Sequence, residues 1–334
     1  MKQRLFIFDS IKFLLIFLVV FGHMMESNRA ISFNSQLYGW IYLFHMPLFT
    51  FISGFFSKQY DDKSIFWKGE IRLLETLAVF HIGSILFKIV VLGKSIGLAD
   101  LVIPGYGSWY LLSLIYWRYI LQCIPDKWIH TTWLLLGSIA ISLLGGYVPI
   151  GGVLSIQRTF TFLPFFLIGY VIKERQCFDN IRMNPFVATI IIVGLTAVVL
   201  PLCNYENGGE EIHSVMMGTY SYFKGDDFIS NPLLSRCVFI ISSAIMCLSI
   251  LSVFPQKEIP YVTKYGKDTL FFYVYHAFVF RLLLQFYSSH KIEANTINLL
   301  TGSIVVMLVL VMLRKVKILW WLMNPVTKSI NNLK

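Results

Sequence analysis

The sequence predicts an all-α fold: a polytopic integral membrane helix bundle of about ten transmembrane helices, with the N- and C-termini in the cytoplasm. Of the 334 residues, 56% are hydrophobic and only 14% are charged, whereas a soluble domain carries roughly 25% charged residues. Apolar runs recur along the whole chain, and a run of about 20 residues spans a bilayer. The runs are unbroken, which favours helices over the alternating polarity of membrane-barrel strands.

Ten apolar runs, each bounded by loop residues, predict the ten helices in order. They cover residues 5–25, 38–57, 71–92, 108–123, 131–147, 158–172, 186–202, 233–253, 269–287 and 296–313. We therefore expect a single transmembrane domain over residues 1–313. Residues 314–334 predict an amphipathic cytoplasmic tail on the membrane surface, because Trp320 and Trp321 stand beside lysines there.

Basic residues are concentrated in alternate loops, which sets the predicted orientation. With the N-terminus inside, the cytoplasmic segments carry most of the lysines and arginines, as the positive-inside rule requires. The cytoplasmic set is Lys2, Arg4, Lys58, Lys63, Lys68, Arg72, Lys127, Lys173, Arg175, Arg182, Lys257, Lys264, Lys267, Arg314, Lys315 and Lys317. The outer set is mainly Arg29, Lys94, Lys224 and Lys291, with Arg158 and Arg236 at the starts of spans. The net charge of +10 therefore indicates topology, and we expect no nucleic-acid partner.

Cysteine spacing and loop composition give less specific predictions. The five cysteines show none of the spacings typical of a metal site, so we expect no metal. Cys203 and Cys237 could pair on the outer side, although small apolar packing residues are the favoured interpretation. The acidic, Gly- and Tyr-rich outer loop from Cys203 to Pro232 fits a solvated loop and a substrate-binding lid equally well.

The first span contains three ionisable side chains, Asp9, Lys12 and His23. Such residues are costly inside a membrane and usually mark a functional site. Lys12 and His23 are eleven residues apart, so they share one helix face about 16 Å apart along the axis. Asp9 lies three residues before Lys12, which suits an ion pair. Taken singly, Lys12 could snorkel to the surface and His23 could lie at the interface; together on one face they favour a function.

The second span contains His45, followed by Pro47 and then by Ser53 and Gly54. A proline frees backbone carbonyls in a membrane helix, and neighbouring groups usually satisfy them. The predicted topology places His45 in the outer half of the membrane, as it does His23, so the two imidazoles could form one site. A single histidine here would more often make a helix–helix hydrogen bond.

The fourth and ninth spans add further polar and aromatic candidates. The ninth span carries Tyr273 and His276 on one face, with Arg281 further along the same helix. A histidine and an arginine within one apolar helix predict a polar cavity inside the bundle. The fourth span opens with Trp109 and Tyr110, which fit an interfacial aromatic belt as well as a substrate site.

The order and spacing of these motifs resemble the membrane-bound acyltransferase-3 family, in particular the subgroup related to fucose 4-O-acetylases. The resemblance spans nearly the whole chain. It rests on Asp9, Lys12 and His23 in the first span, and on three sequence stretches: FHMPLFTFISGFF in the second span, SWYLLSL in the fourth and YGKDTLFFYVYHAFVF in the ninth.

The resemblance implies a bacterial cytoplasmic membrane enzyme that O-acetylates a surface glycan or its lipid-linked precursor, with acetyl-CoA as the cytoplasmic donor. It also implies that His23 is essential and that Lys12 engages the donor. Relatives often carry two arginines three residues apart at the start of the third span. Here Arg72 is followed by Glu75 and preceded by Lys68, so Lys68 and Arg72 as ligands of the CoA phosphates form a weaker prediction.

These residues give a mechanistic hypothesis with one principal alternative. His23 acts as general base on an acceptor hydroxyl, or briefly carries the acyl group itself. His45, Tyr273 and His276 orient it or stabilise the oxyanion, and Asp9 supports Lys12. The alternative is a transporter or flippase for a glycan or lipid-linked sugar, in which the intramembrane charges line a pathway. Substrate movement without CoA consumption would distinguish that alternative; an added scaffolding role, the acceptor sugar and the oligomeric state stay open.

Overall fold

The protein is built from helices packed side by side. A computed structural model describes residues 5–29, 31–103, 105, 107–129, 131–148, 152–204, 209–223 and 231–326, and this part of the chain contains no strand. Its α-helices, in chain order, are α1 Phe6–Glu26, α2 Ser32–Phe56, α3 Lys63–Val90, α4 Leu98–Val102, α5 Ser108–Cys123, α6 Asp126–Ile129, α7 Thr132–Leu144, α8 Ile156–Glu174, α9 Phe178–Ile181, α10 Pro185–Leu202, α11 Gly209–Met216, α12 Pro232–Val253, α13 Val262–Gly266, α14 Thr269–Ser289, α15 Thr296–Leu313 and α16 Lys317–Leu322.

Each of the ten predicted spans coincides with one of these helices, and the polytopic all-α bundle is confirmed. Eight of the described helices are long and apolar enough to cross a membrane: α1, α2, α3, α8, α10, α12, α14 and α15. The other two predicted spans correspond to α5, with 16 residues, and α7, with 13 residues followed by a 3₁₀ turn. Whether α5 and α7 cross fully therefore stays a prediction, as does the side on which each terminus lies. Residues 1–4 and 327–334 lie outside the described residues.

Helices α1, α2 and α8 form the centre of the bundle. Two glycines allow α2 and α8 to approach closely: a Cβ on Gly54 would lie 1.8 Å from the carbonyl oxygen of Phe166, and one on Gly169 would lie 2.1 Å from that of Phe51. Small residues at a helix–helix contact let backbones approach in membranes, where dispersion contacts drive association. By contrast, α3 and α10 expose many large apolar side chains, which places them at the periphery of the bundle.

The chain after α15 turns back onto the bundle. In α16 the Trp320 ring stacks on Phe271 of α14, with ring centroids 4.8 Å apart, and its Nε1 donates to the carbonyl oxygen of Arg314. The Tyr275 hydroxyl donates to the carbonyl oxygen of Leu319 at 2.6 Å. The first part of the predicted tail therefore packs against protein. Its location on a membrane surface stays a prediction, and residues 327–334 of it lie outside the described part.

The loop between α10 and α12, which the sequence predicts to lie on the outer side, contains a short helix, α11. Residues 205–208 and 224–230 of this loop lie outside the described residues. His213 on α11 is fully buried against Tyr38, with ring centroids 5.2 Å apart. All five cysteines are free, so Cys203 and Cys237 do not pair, and Cys203 is buried. Small-residue packing, the favoured interpretation of these cysteines, agrees with this arrangement.

Candidate active site

Two cavities meet at the C-terminal end of α1. The large cavity has a volume of about 710 Å³ and lies between α1, α3, α14 and the segment that contains α4. The small cavity has a volume of about 260 Å³ and lies between α1, α2, α5, α8 and α14. Both are lined by His23, Glu26, Ile103 and Gly105. A group bound in either cavity would therefore reach the same imidazole.

The His23 side chain is held from two directions. Its Nδ1 lies 3.0 Å from Oε2 of Glu26, three residues further along α1, and the imidazole is only 11% exposed. On the other side its ring stacks on His276 and on Phe280, with centroid distances of 5.4 Å each. Because a carboxylate only accepts, Nδ1 carries the proton in the neutral ring and Nε2 is the basic nitrogen. The arrangement orients His23 for proton transfer.

Two further imidazoles are fixed in the same tautomer by backbone carbonyls. Nδ1 of His45 lies 2.8 Å from the carbonyl oxygen of Ile41, and Nδ1 of His276 lies 2.5 Å from that of Tyr273. A carbonyl oxygen only accepts, so each Nδ1 donates and each Nε2 has a lone pair. Both rings are buried, and Nε2 of His276 has no hydrogen-bond partner. In this tautomer neither Nε2 donates a hydrogen bond.

Arg158, which the sequence places only at the start of a predicted span, also lines the small cavity. Among the described residues that line it, Arg158 alone carries a permanent positive charge. Its guanidinium lies over the Trp109 ring, 4.8 Å from the centroid, a cation–π contact. Its Nε is buried and has no hydrogen-bond partner. The Tyr273 hydroxyl is already engaged, since it donates to the carbonyl oxygen of Gly107.

The large cavity is polar and charged. Arg281 lines it and donates through Nη1 to the Ser84 hydroxyl at 3.1 Å. Lys88 lines it as well and contacts both carboxylate oxygens of Asp100 at 2.7 Å. This ammonium, through its hydrogen bond, lowers the pKa of the Asp100 carboxyl below its usual range. Lys94 adds a further cation to the wall.

A different pocket, here called the end pocket, lies at the opposite end of the bundle. It has a volume of about 310 Å³ and is lined by Ser53, Phe56, Ser57, Lys58, Tyr60, Leu114 and Arg118. Lys12 lies beside it, with Nζ 5.8 Å from the centroid of Phe56 and 2.9 Å from Oδ1 of Asp9. Along α2, Met46 of the small cavity and Ser53 of the end pocket are seven positions apart, a rise of about 10 Å.

Tyr110 fills part of the space between the end pocket and the small cavity. Its hydroxyl lies 2.7 Å from the Ser53 Oγ and donates to the carbonyl oxygen of Phe49 at 3.0 Å. Its ring contacts Tyr273, with centroids 5.6 Å apart, and Tyr273 lines the small cavity. Ser53, Tyr110 and Tyr273 therefore form a layer between the two sites.

The structure thus places the sequence-predicted residues in separate parts of the bundle. His23, His45, Trp109, Tyr273, His276 and Arg281 lie at or against the two cavities. Asp9 and Lys12 pair near the end pocket, and fourteen residues separate Asp9 from His23, about 21 Å along α1. Lys68 and Arg72 are exposed near the start of α3 and line none of the described cavities.

Sequence reasoning missed Glu26 and Arg158 as site residues. The signal for Glu26 was available, because His and Glu three residues apart share a helix face. Arg158 could not be assigned, since only tertiary packing brings the start of α8 against α5 and the end of α1. The same holds for Lys88, Lys94 and Asp100, which come from α3 and the segment that follows it.

Similarity to known proteins identifies the family of this chain. A family model described as an acyltransferase domain matches residues 6–314. The chain belongs to the acyltransferase-3 family. It is also 26% identical over 189 residues to "Nodulation protein NolL" of Sinorhizobium fredii (strain NBRC 101917 / NGR234), an alignment that covers 50% of this chain and 48% of that relative. The chain thus spans about half the length of that curated relative. No solved structure matches the chain significantly.

Membership of the acyltransferase-3 family confirms the resemblance drawn from the sequence motifs. The chain therefore contains an acyltransferase domain built as a multi-pass membrane helix bundle. An acyltransferase needs a base for the incoming nucleophile and a positive group for the developing oxyanion. In the described part of the chain, one small cavity is bordered by the imidazole of His23 and the guanidinium of Arg158, which are groups of these two kinds.

Proposed function

We propose that the protein is an O-acyltransferase that moves an acetyl or other short acyl group from cytoplasmic acyl-CoA to a hydroxyl of a cell-surface glycan or its lipid-linked precursor. One observation carries this proposal: His23, oriented by Glu26, stands where two cavities meet. Donor and acceptor can thus approach one base from different directions. The glycan acceptor and the bacterial cytoplasmic membrane rest on the family resemblance.

The donor enters from the cytoplasm through the end pocket. The predicted orientation places this pocket at the inner side, where Lys58 and Arg118 line it and Lys12 lies beside it. Cations suit the phosphates of a CoA nucleotide. The thioester then reaches the small cavity past the Ser53–Tyr110 hydrogen bond, which must open to admit it. Lys68 and Arg72 lie near the start of α3, where they can attract the anionic donor without contacting it.

The transfer itself needs one base and one positive group. Nε2 of His23 takes the proton from the acceptor hydroxyl as its oxygen attacks the thioester carbonyl carbon. The carbonyl electrons move to oxygen and form an oxyanion beside Arg158. When the oxyanion collapses, the C–S bond breaks and the CoA thiolate takes the proton from His23, which leaves an ester, free CoA and neutral His23. Glu26 stabilises the imidazolium that exists between the two proton transfers.

Arg158 is assigned to stabilise the oxyanion because no other candidate has an N–H or O–H group left to donate to it. His45 and His276 expose a lone pair at Nε2, and the Tyr273 hydroxyl is engaged by Gly107. In this arrangement His45 accepts a hydrogen bond from the acceptor and orients it. Its ring contacts Tyr42 edge-on with centroids 4.4 Å apart, which fixes its position in the small cavity.

The proposal is tested with membranes that contain the wild type, His23→Ala or His290→Ala, given radiolabelled acetyl-CoA and the host's envelope glycans. His290 is an exposed histidine just after α14 and lines neither cavity, so it is the matched control. We expect label in glycan with the wild type and His290→Ala, and none with His23→Ala at equal protein abundance. Equal labelling by His23→Ala overturns the catalytic assignment. Glycan movement across the membrane without CoA release overturns the proposed function in favour of transport.

A further inference from the structure

Part of the wall of the small cavity comes from the loop between α10 and α12. Among the described residues that line this cavity, Met217 alone belongs to that loop. Its side chain is partly exposed, whereas its neighbours Met216 and Gly218 are buried. The loop runs closely over α8, because a Cβ on Gly218 would lie 3.2 Å from the ring of Phe162. Phe162 also lines the cavity, so the loop and α8 together form an apolar wall there.

Met217 lies in the part of the small cavity that is far from the end pocket. The Tyr38 hydroxyl donates to Sδ of Met217 at 3.3 Å. On α2, Tyr38 precedes Ser53 of the end pocket by fifteen positions, a rise of about 22 Å. Met46 precedes Ser53 by only seven positions, a rise of about 10 Å. Met46 therefore borders the near part of the small cavity and Met217 the far part.

Buried hydrogen bonds fix the loop between α10 and α12 to the bundle. Nε2 of Gln157 and Nη2 of Arg236 donate to the carbonyl oxygen of Tyr220, at 2.7 and 2.9 Å. The amide of Tyr222 donates to the carbonyl oxygen of Gly146 at 2.9 Å. Gln157 and Arg236 are fully buried, and breaking such bonds would leave buried polar groups unsatisfied. The far wall of the small cavity is thus held in place, so it can limit the length of a ligand.

The proposed direction of donor entry places the acyl chain against this far wall. The CoA thioester enters from the end pocket, so the acyl group is the leading end of the donor. Its carbonyl reacts between His23 and Arg158, which both line the small cavity. The carbon chain beyond the carbonyl extends away from the sulfur and therefore into the far part of the cavity. An apolar chain is stabilised there by burial against Met217 and Phe162.

We propose that Met217 limits the length of the acyl group, so that the protein accepts acetyl and discriminates against acyl groups of four or more carbons. This inference rests on the proposed function. One methylene group in an apolar pocket changes selectivity by roughly 10- to 200-fold. A side chain that occupies the space beyond the acetyl methyl group excludes the longer chain. Met217 therefore determines specificity and takes no part in proton transfer.

The test uses purified full-length protein in lipid nanodiscs with the host's envelope glycans as acceptor. The donor is acetyl-CoA, propionyl-CoA or butyryl-CoA, each radiolabelled in the acyl group. The measured quantity is kcat/KM for butyryl-CoA divided by kcat/KM for acetyl-CoA. Both values come from one preparation, so their ratio does not depend on the fraction of protein that is folded. We expect the wild type to favour acetyl-CoA at least tenfold, and equal values for the two donors overturn the inference.

Three substitutions of Met217 test its role in this ratio. Met217→Ala removes the three side-chain atoms beyond Cβ, about the size of the two methylene groups by which butyryl exceeds acetyl. We expect it to raise the ratio at least tenfold. Met217→Val removes less volume and should raise the corresponding ratio for propionyl-CoA, which keeps the test decisive if Met217→Ala does not fold. Met217→Leu keeps the volume but lacks the sulfur, so it should shift the ratio less than Met217→Ala does.

Two other methionines supply controls. Met46→Ala enlarges the near part of the same cavity, and Met312→Ala changes an exposed side chain on α15. Neither should raise the ratio. A rise in Met46→Ala equal to that in Met217→Ala places the acyl chain in the near part and overturns the inference.

The outcomes separate this inference from the proposal on which it rests. No transfer from any of the three donors by the wild type contradicts the acyl-transfer proposal and the inference together. Transfer by the wild type, with ratios that stay unchanged in Met217→Ala and Met217→Val, contradicts only the role of Met217. A shift in Met217→Leu as large as that in Met217→Ala assigns the effect to the contact between the sulfur and Tyr38, and it overturns the limit on length.

Discussion

Among the individual residues, Glu26 has the most direct influence on the proposed chemistry. Its carboxylate lies 3.0 Å from Nδ1 of His23, and a carboxylate in this position fixes the tautomer of an imidazole and stabilises its protonated form. The pair lies on one helix face, so the geometry does not depend on contacts between distant elements. In the proposed mechanism, Glu26 therefore controls how well His23 acts as a base.

We predict that Glu26→Gln lowers kcat about 10²-fold, at the lower end of what general base catalysis contributes. The amide keeps the size of the side chain but carries no charge to stabilise the imidazolium. Initial rates at saturating donor and acceptor measure the effect, with protein abundance matched by immunoblot. Glu293→Gln, an exposed acid just beyond α14, should retain wild-type rates. A kcat for Glu26→Gln within twofold of the wild type would refute the role.

A second prediction concerns Arg158. Arg158→Gln should lower kcat about 10²- to 10³-fold, the range for loss of one oxyanion donor, and leave both KM values close to those of the wild type. Arg158→Lys should recover part of the rate, because the charge is kept but the planar fork is lost. Steady-state kinetics with each substrate varied in turn separates the effect on kcat from the effects on the two KM values. A change confined to KM would assign Arg158 to ground-state binding instead.

The site was partly predictable from the sequence because part of it lies on single helices. The Lys12 and His23 face follows from helix geometry alone, and Tyr273 and His276 share a face for the same reason. The convergence of Arg158, His45 and His23 does not follow, because it depends on how three separate helices pack. The charges of the large cavity were equally hidden, since Lys94 lies in a loop and Asp100 in the five-residue helix α4, and neither position follows from the period of a membrane span.

At the level of helices, the contact between α2 and α8 depends on two glycines. We predict that Gly54→Ala and Gly169→Ala each lower the free energy of unfolding by about 1–3 kcal/mol, as overpacking typically does. The added methyl group would meet a backbone carbonyl, which cannot move aside as a flexible side chain can. Thermal unfolding in detergent measures the loss. Gly194→Ala on α10, where the new Cβ meets nothing within 4 Å, should be as stable as the wild type.

The loop helix α11 gives a prediction about pH. Burial lowers the pKa of His213 from its usual 6.5 to about 4, and the charge of Arg29 acts in the same direction, whereas Glu210 opposes it. Between about pH 4 and pH 6.5, the unfolded segment therefore binds a proton at His213 that the folded segment does not bind. The free energy of unfolding therefore falls as the pH drops from about 6.5 to about 4, by about 3 kcal/mol in total.

Hydrogen exchange over residues 209–216 measures this effect. We expect these amides to lose protection between pH 7 and pH 5 in the wild type. In His213→Leu, which has no group to protonate beside Tyr38, protection should be independent of pH once the intrinsic exchange rate is corrected. His290→Leu, at an exposed histidine, should follow the wild type. Equal loss of protection in His213→Leu would assign the effect to another group.

Helix boundaries show what hydrophobicity can and cannot predict. The fourth and tenth spans, 108–123 and 296–313, match α5 and α15 residue for residue. The third helix begins at Lys63, eight residues before the predicted start at 71. Its first eight residues, KSIFWKGE, include three charged side chains, and Asp62 caps the helix by accepting from the amide of Ser64. Apolar content marks the part of a helix inside lipid, whereas capping decides where it begins.

For the whole molecule, the orientation in the membrane is the central prediction. Single cysteines at Lys94→Cys and Lys257→Cys, in a background whose five native cysteines are serines, test it. We expect a membrane-impermeant maleimide to label Lys94→Cys in intact cells and to label Lys257→Cys only after the membrane is opened. The reverse pattern would place the large cavity inside the cell and contradict the proposed direction of transfer. Labelling of both sites in intact cells would contradict the odd number of spans, five, predicted between them.

The shortness of α5 has a consequence for the lipid around the protein. Its 16 residues extend about 24 Å, some 6 Å less than the roughly 30 Å hydrocarbon layer. Such a mismatch is relieved by local thinning of the bilayer. Because α5 begins beside Gly107, which lines the small cavity, a dimple in the outer leaflet there would bring water and headgroups down toward His23. A hydrophilic acceptor would then reach the imidazole without crossing the full depth of the outer leaflet. In thicker membranes, the acceptor would reach His23 more slowly.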